Sequence, residues 1–262
     1  MSERLKNCFK TKRGSLLSVY FTAGYPLESG VVDMLCAVED AGVGLVELGF
    51  PFSDPIADGP VIQAANAAAI GGGMTLSRLF EQLEKVRDRV EIPIVLMGSF
   101  NPVLHYGCVR FSETCKQIGI DGALLPDLPL EAYLRDFHED FERFGIGNVF
   151  LVTPQTPDAR ISELAAHTND FLYLVSRSAT TGKKQEVKSD TEAYVKRVRR
   201  CAGDVPLALG FGISDRKTFS DAVKLADGAI VGTAFIKALE GSAGTVYERA
   251  QSFVHSLLGD EG

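Results

Sequence analysis

The sequence predicts an α/β fold: a (βα)8 TIM barrel with an extra N-terminal helix, in a single domain over residues 1–262. Three observations point there. Short apolar runs alternate with helical patterns along the whole length, eight runs at about 30 residues per unit. Strict alternation implies parallel strands joined by helical crossovers, and eight units imply closure. No composition break or Pro/Gly/Ser-rich linker divides the 262 residues, and such barrels often reach about 250 residues in one domain. The alternative is an open doubly wound sheet. Its first strand would lead into G-x-G-x-x-G, and Thr22-Ala23-Gly24-Tyr25-Pro26 matches that poorly.

Each element follows from its own pattern. Residues 1–15 lack the apolar centre of a signal peptide and set Leu5 and Phe9 on one side of a short amphipathic helix. Residues 16–21 are the first strand, followed by a helix over 28–41 with Val31, Leu35 and Val38 on one side. Residues 43–48 are the second strand, and 61–69 and 76–90 are helical. The third strand, 92–97, is followed by a helix over 109–118 and the fourth strand, 122–125. Residues 130–144 are predicted as one long helix, 149–152 as strand five and 159–167 as a helix. Strand six, 171–175, is followed by a polar loop over 176–190 and a helix over 191–200. Residues 207–209, 215–225 and 228–231 give strand, helix and strand, and helices over 234–239 and 245–258 end the pattern.

A net charge of -7, from 27 Lys and Arg against 34 Asp and Glu, argues against nucleic-acid or membrane-surface binding, which uses a basic face. No run approaches the roughly 20 apolar residues of a membrane span. Cys8, Cys36, Cys108, Cys115 and Cys201 are odd in number and hold no C-x-x-C, as expected of reduced thiols in a cytoplasmic protein. His105, His138, His167 and His255 show no metal-ligand spacing, and no metal site is expected.

The chemistry concentrates in residues 45–60, LVELGFPFSDPIADGP. A strand buried on both faces reads as a continuous apolar run, so Glu47 inside one is out of place. Burial disfavours its ionised form and brings its pKa toward the range useful to a general acid or base. Asp58 stands at the far end of the following loop, before Gly59-Pro60, where a helix can start. Two carboxylates in unlike settings are what acid–base chemistry at neutral pH requires.

Two glycine turns follow strands seven and eight: Gly210-Phe211-Gly212-Ile213-Ser214 and Gly232-Thr233-Ala234. In barrels of this kind a phosphate commonly sits there on backbone N–H groups, and glycine permits its close approach. Neither turn holds Lys or Arg, so recognition would rest on backbone dipoles. Residues 176–190 make a long polar connection of the kind that closes over a substrate, and Gly182 could add a backbone donor. Tyr173 alternates with Phe171 and Val175 and either reaches toward the carboxylates or is core.

Residues 45–60, with T-A-G-Y-P before them and S-R-S-A-T-T-G, G-F-G-I-S and G-T-A after, closely resemble the tryptophan synthase alpha subunit from about Leu5 to Leu257. The resemblance implies retro-aldol cleavage of indole-3-glycerol phosphate to indole and glyceraldehyde 3-phosphate, with no cofactor in this chain. It implies Glu47 as the residue that carries the proton and Asp58 as the carboxylate that holds the indole N–H. Tyr173 and Thr181 match residues supporting the pair. Gly182, Phe211, Gly212, Gly232 and Thr233 match phosphate-binding positions, and Tyr20 and Leu125 are expected to wall the indole pocket. It also implies a partner, the tryptophan synthase beta subunit, which carries pyridoxal phosphate in an α2β2 complex. Pro51, Asp54, Asn101 and Pro102 match the docking region. Residues 98–102, GSFNP, depart from the family's polar-aromatic pattern before Asn-Pro, as do Ala179 from its glycine and Thr233 from its serine.

The glycine turns alone would suit a sugar-phosphate isomerase or epimerase equally well, although the histidines are poorly placed for one. A Schiff-base aldolase needs a lysine inside a strand, and the predicted strands hold none. A catalytically weak docking subunit and a free-standing lyase of the same fold are the remaining alternatives.

Overall fold

The computed structural model of the chain describes residues 2–12, 14–55, 58–175, 184–210 and 212–259, with backbone alone for 184–188. Eight parallel strands pair in sequence order and the last closes on the first. They are β1 (Leu16–Thr22), β2 (Leu45–Gly49), β3 (Ile94–Met97), β4 (Gly122–Leu124), β5 (Gly147–Val152), β6 (Leu172–Val175), β7 (Leu207–Gly210) and β8 (Gly228–Val231). The helices are α1 (Glu3–Thr11), α2 (Val31–Asp40), α3 (Pro60–Gly71), α4 (Leu76–Leu83), α5 (Phe100–Tyr106), α6 (Cys108–Ile118), α7 (Leu130–Asp136), α8 (His138–Phe144), α9 (Asp158–His167), α10 (Lys184–Ala202), α11 (Arg216–Val223), α12 (Thr233–Leu239) and α13 (Val246–Leu258).

The register decides which side chains meet inside. Tyr20 pairs with Glu47, Glu47 with Val95, Val95 with Gly122 and Gly122 with Gly147, so a path across the strands runs from the far end of β1 to the start of β5. On the other half Leu151 pairs with Tyr173, Tyr173 with Ala208, Ala208 with Gly228 and Gly228 with Leu16. This stagger sorts the inward-facing residues into layers of four drawn from alternate strands. Tyr20, Met97, Leu151 and Gly210 form the layer at the mouth. Glu47, Leu124, Tyr173 and Ile230 form the next, then Ser18, Val95, Val149 and Ala208. Leu45, Gly122, Phe171 and Gly228 lie toward the rear.

Amphipathic α1 closes the rear opening. Leu5, Cys8 and Phe9 are buried against Leu16, Leu45 and Phe171, and the Phe9 and Phe171 rings lie 5.2 Å apart. One fully buried carboxylate ties this plug to the barrel. Asp121 accepts from Ser2 Oγ at 2.7 Å, Arg4 Nε at 2.9 Å, Arg87 Nη2 at 2.7 Å and the Ile94 amide at 2.9 Å. Outside the strands the helices bury a separate apolar shell, for which Leu76, Leu79, Phe80 and Leu83 on α4 are typical.

Three elements differ from expectation. Residues 100–106, to which the sequence pattern assigns no element, are α5. Pro102 falls in its first turn, where a missing N–H costs nothing, and Asp127 Oδ1 accepts from the Phe100 amide at 2.7 Å. The single helix over 130–144 breaks at Phe137, whose φ of -133° is not helical. The break lets Tyr133 and Phe141 from the two pieces meet edge to face, 5.6 Å apart, in the buried shell. Within the polar stretch 176–190, helix begins at Lys184. Lys, Gln and Glu are strong helix formers, so a polar run of them continues as helix.

Candidate active site

Glu47 projects inward from β2 into the layer below the mouth and is fully buried. Neither of its carboxylate oxygens has a hydrogen-bond partner among the described residues. Burial with no compensating donor pushes its pKa up to about 8, so at neutral pH it holds a proton. A carboxyl that holds its proton at neutral pH has the chemistry of a general acid.

Asp58 ends the loop after β2, and Gly59-Pro60 begins α3 at once, with proline at the first helical position. The loop is pinned from α3. Gln63 Nε2 donates to the Asp58 carbonyl at 2.9 Å, and Asn66 Nδ2 donates to Asp58 Oδ2 at 3.3 Å. Burial raises the Asp58 pKa, and the bond from Asn66 opposes that shift. The setting therefore keeps Asp58 more readily ionised than Glu47, two unlike acids in one cleft.

Tyr20 and Tyr173 both point inward, which decides between the two readings left open for Tyr173. Burial keeps the Tyr173 phenol protonated, reinforced by Glu47 and Asp58. Tyr20 behaves alike, with Asp58 the larger of the two charges it feels, and its hydroxyl lies 3.3 Å from Thr22 Oγ1. Each ring needs a glycine on the next strand. A Cβ on Gly49 would lie 2.4 Å from the Tyr20 hydroxyl, and one on Gly210 would lie 2.3 Å from that of Tyr173. Phe50 leans over Gly98 in the same sense, 2.4 Å from where a Cβ would be.

Across the cleft, Gly212 holds φ +76°, a left-handed conformation suited to glycine, while Gly232 and Thr233 open α12. One cleft of about 640 Å³, counting space open to solvent, is lined by Tyr20, Glu47, Asp58, Tyr173, Gly212, Gly232 and Thr233 together with Gly59, Ile62, Met97, Ile213 and Ile230. A second, of about 920 Å³, shares Tyr20, Asp58 and Met97 and runs outward past Phe50, Phe52, Pro55 and Pro126. Together they offer one buried and one half-buried carboxylate, exposed backbone on one side and apolar walls on the other.

Seven of the expected catalytic and substrate-binding residues thus come together: Glu47, Asp58, Tyr20, Tyr173, Gly212, Gly232 and Thr233. Thr181, Gly182 and Phe211 lie outside the described residues, as does Ala179. Leu125 does not line either cleft. It packs in the outer shell, because its neighbour Leu124 takes the inward position of β4. Met97, Ile62 and Asn66 line the clefts and were missed. Asn66 carried a signal, an amide on the buried face of an Ala- and Ile-rich helix. Of the expected docking residues, Pro51 is buried within the chain, Asp54 and Asn101 are exposed, and Pro102 is half-buried. Among the described residues no three His, Cys, Asp or Glu side chains converge as a metal site, and no helix is long and apolar enough to cross a membrane.

The fold and this site define a (βα)8 barrel with a buried, proton-holding carboxyl in a cleft between one apolar wall and one wall of exposed backbone. A family profile described as "Tryptophan synthase alpha chain" matches residues 5–257. A tryptophan synthase alpha chain from Christiangramia forsetii is 48% identical over 222 residues, covering 85% of this chain and 87% of its own length. One from Phocaeicola vulgatus is 39% identical over 254 residues, covering 97% and 98%. Among solved structures, a tryptophan synthase complex from Pyrococcus furiosus is similar at TM-score 0.85 and 34% identity, covering 95% of this chain and 99% of its own. Tryptophan synthase subunit alpha from Legionella pneumophila gives TM-score 0.88 and 27% identity, covering 98% of each chain. The chain belongs to the tryptophan synthase alpha chain family, and its role is that of the alpha subunit in tryptophan biosynthesis.

Proposed function

We infer that the chain is a carbon–carbon lyase that splits indole-3-glycerol phosphate into indole and glyceraldehyde 3-phosphate. One observation carries this reading: a protonated Glu47, without a hydrogen-bond partner among the described residues, shares an apolar-walled cleft with Asp58 and with the glycine turns after β7 and β8. Glu47 gives its proton to C3 of the indole ring, which becomes an iminium-like cation. Asp58 accepts the ring N–H and offsets the positive charge. The ionised Glu47 then takes the proton of the side-chain hydroxyl on the departing carbon. The C–C bond breaks, its electron pair returns to the ring, and indole and the aldehyde form with Glu47 again protonated. The phosphate rests on the backbone of Gly212, Gly232 and Thr233, with Tyr20 and Tyr173 around the carboxylates; the family likeness assigns Gly182 and Phe211 to the phosphate and Thr181 to the carboxylates.

No cofactor enters these steps; pyridoxal phosphate belongs to the beta subunit. That subunit is the partner in an α2β2 complex, a reading supported by the similarity to tryptophan synthase complexes. Asp54, Asn101 and Pro102 offer exposed or half-exposed surface for it, while buried Pro51 shapes the loop beneath. The free thiols suit a reducing cytoplasm.

The reading is tested by measuring indole release from indole-3-glycerol phosphate, with the purified chain alone and with a beta subunit added. Turnover that rises on addition supports both the reaction and the partnership; a folded chain inactive in both arms overturns the reaction. Asp58→Asn should lower kcat about 10²–10³-fold, the scale seen when a group that stabilises transition-state charge is removed. Its affinity for a phosphorylated glycerol analogue, measured by calorimetry, should stay within a factor of about three.

A further inference from the structure

Inside the barrel, close to the Glu47 carboxylate, Ser18 Oγ is another buried side-chain oxygen with no hydrogen-bond partner among the described residues. Ser18 faces inward, since it alternates along β1 with Leu16 and Tyr20, and it is 1% exposed. The register sets it diagonally below Glu47: Ser18 pairs with Leu45, and Tyr20 pairs with Glu47. Its layer is otherwise Val95, Val149 and Ala208, so this is the only hydroxyl there. A buried hydroxyl without a partner costs stability, and an alanine or valine would fill the place without that cost. Ser18 and Ala208 are the smallest side chains of the layer beneath the carboxyl.

We propose that Ser18 is a positioning residue for Glu47, its hydroxyl bonding the carboxyl from the rear, directly or through a single water. The inference rests on Glu47 being the proton carrier. A hydroxyl is both donor and acceptor and rotates freely. It accepts from Glu47 while the acid is protonated and donates once the acid has given its proton away, so it follows both halves of the cycle. Other groups facing Glu47 act from other sides: Asp58 from the loop before α3 and the phenols of Tyr20 on β1 and Tyr173 on β6. β3, β4 and β8 present no titratable side chain to the interior, only Val95, Met97, Leu124, Ile230 and the glycines Gly122 and Gly228.

A bond donated to the ionised form lowers a carboxyl pKa, so losing it raises the pKa. In Ser18→Ala, the Glu47 carboxyl, followed by isotope-edited infrared titration of the free enzyme, should titrate about one unit higher than in the wild type. In the same variant, kcat for indole release at pH 7 should fall about tenfold, with KM unchanged and the alkaline limb of the pH profile moved upward. Ser18→Thr, which restores the hydroxyl, should recover both. Ser18→Cys, a much weaker donor, should behave as the alanine variant does and serves if that one fails to fold. An unmoved infrared titration in Ser18→Ala overturns the proposal and leaves Ser18 as packing. Because that readout needs no substrate, a shifted carboxyl in an enzyme that releases no indole would uphold the Ser18 contact while the lyase reading failed.

Discussion

Glu47→Gln is expected to lower indole release from indole-3-glycerol phosphate by about 10²–10⁴-fold, the usual contribution of a positioned proton donor. The amide has nearly the shape of the acid but no proton to give, so affinity for a phosphorylated glycerol should be kept. A variant retaining more than about a tenth of the wild-type rate would remove Glu47 from that role. The same change should stabilise the fold in a pH-dependent way. In the unfolded chain this acid titrates near the ordinary value of 4.5, whereas in the barrel it titrates at about 8. Between those limits the folded state keeps a proton that the unfolded state has lost, so wild-type stability falls as pH rises through the interval. Glutamine does not titrate. The difference in melting temperature between variant and wild type should therefore be smallest below pH 4.5 and largest above about 8, where the shift corresponds to on the order of 5 kcal/mol. A pH-independent difference in calorimetric scans would contradict the assigned burial.

Asp121→Ala should destabilise the chain by about 3–5 kcal/mol, the cost of removing one partner from a buried ion pair. Four donors lose their acceptor at once: Ser2, Arg4, Arg87 and the Ile94 amide. Arg87 keeps carbonyl partners at Gly119, Val90 and Ile92, which holds its side chain in place over a missing counter-charge. For a chain of this size the loss corresponds to a melting temperature lower by roughly 10 °C. Activity per folded molecule should be kept, since Asp121 lies just before β4 at the rear, away from the cleft. A change below about 1 kcal/mol in urea unfolding would mean that the plug is held by apolar contact alone.

Glu47 was legible from sequence because the signal is local: a carboxylate in an apolar strand run needs no partner to be recognised. The glycine turns were legible for the same reason, and their placement after β7 and β8 followed once eight units were counted. Leu125 failed on parity. β4 is three residues long, too short for alternation to tell its two faces apart, and Leu124 and Leu125 are chemically alike. Asn66 and Met97 were illegible for another reason: what makes them part of the site is a neighbour eight residues away in one case and a barrel layer in the other. The unforeseen α5 and the break at Phe137 came from tertiary forces, a capping carboxylate that accepts from 27 residues away and a ring pair that a straight helix could not form.

The rings at the mouth have a consequence for redesign. Tyr20 over Gly49, Phe50 over Gly98 and Tyr173 over Gly210 each set an aromatic on or just after one strand across a glycine on or just after the next, always in the same rotational direction. Pocket shape is thus encoded partly by atoms that are missing. A library that varies only the rings enlarges the pocket freely, whereas one that varies the glycines first collides with rings that have nowhere to go. Ring and glycine form a single heritable unit, and a mouth reshaped for bulkier substrates will have to be reached by paired substitutions in which the ring shrinks before the glycine grows.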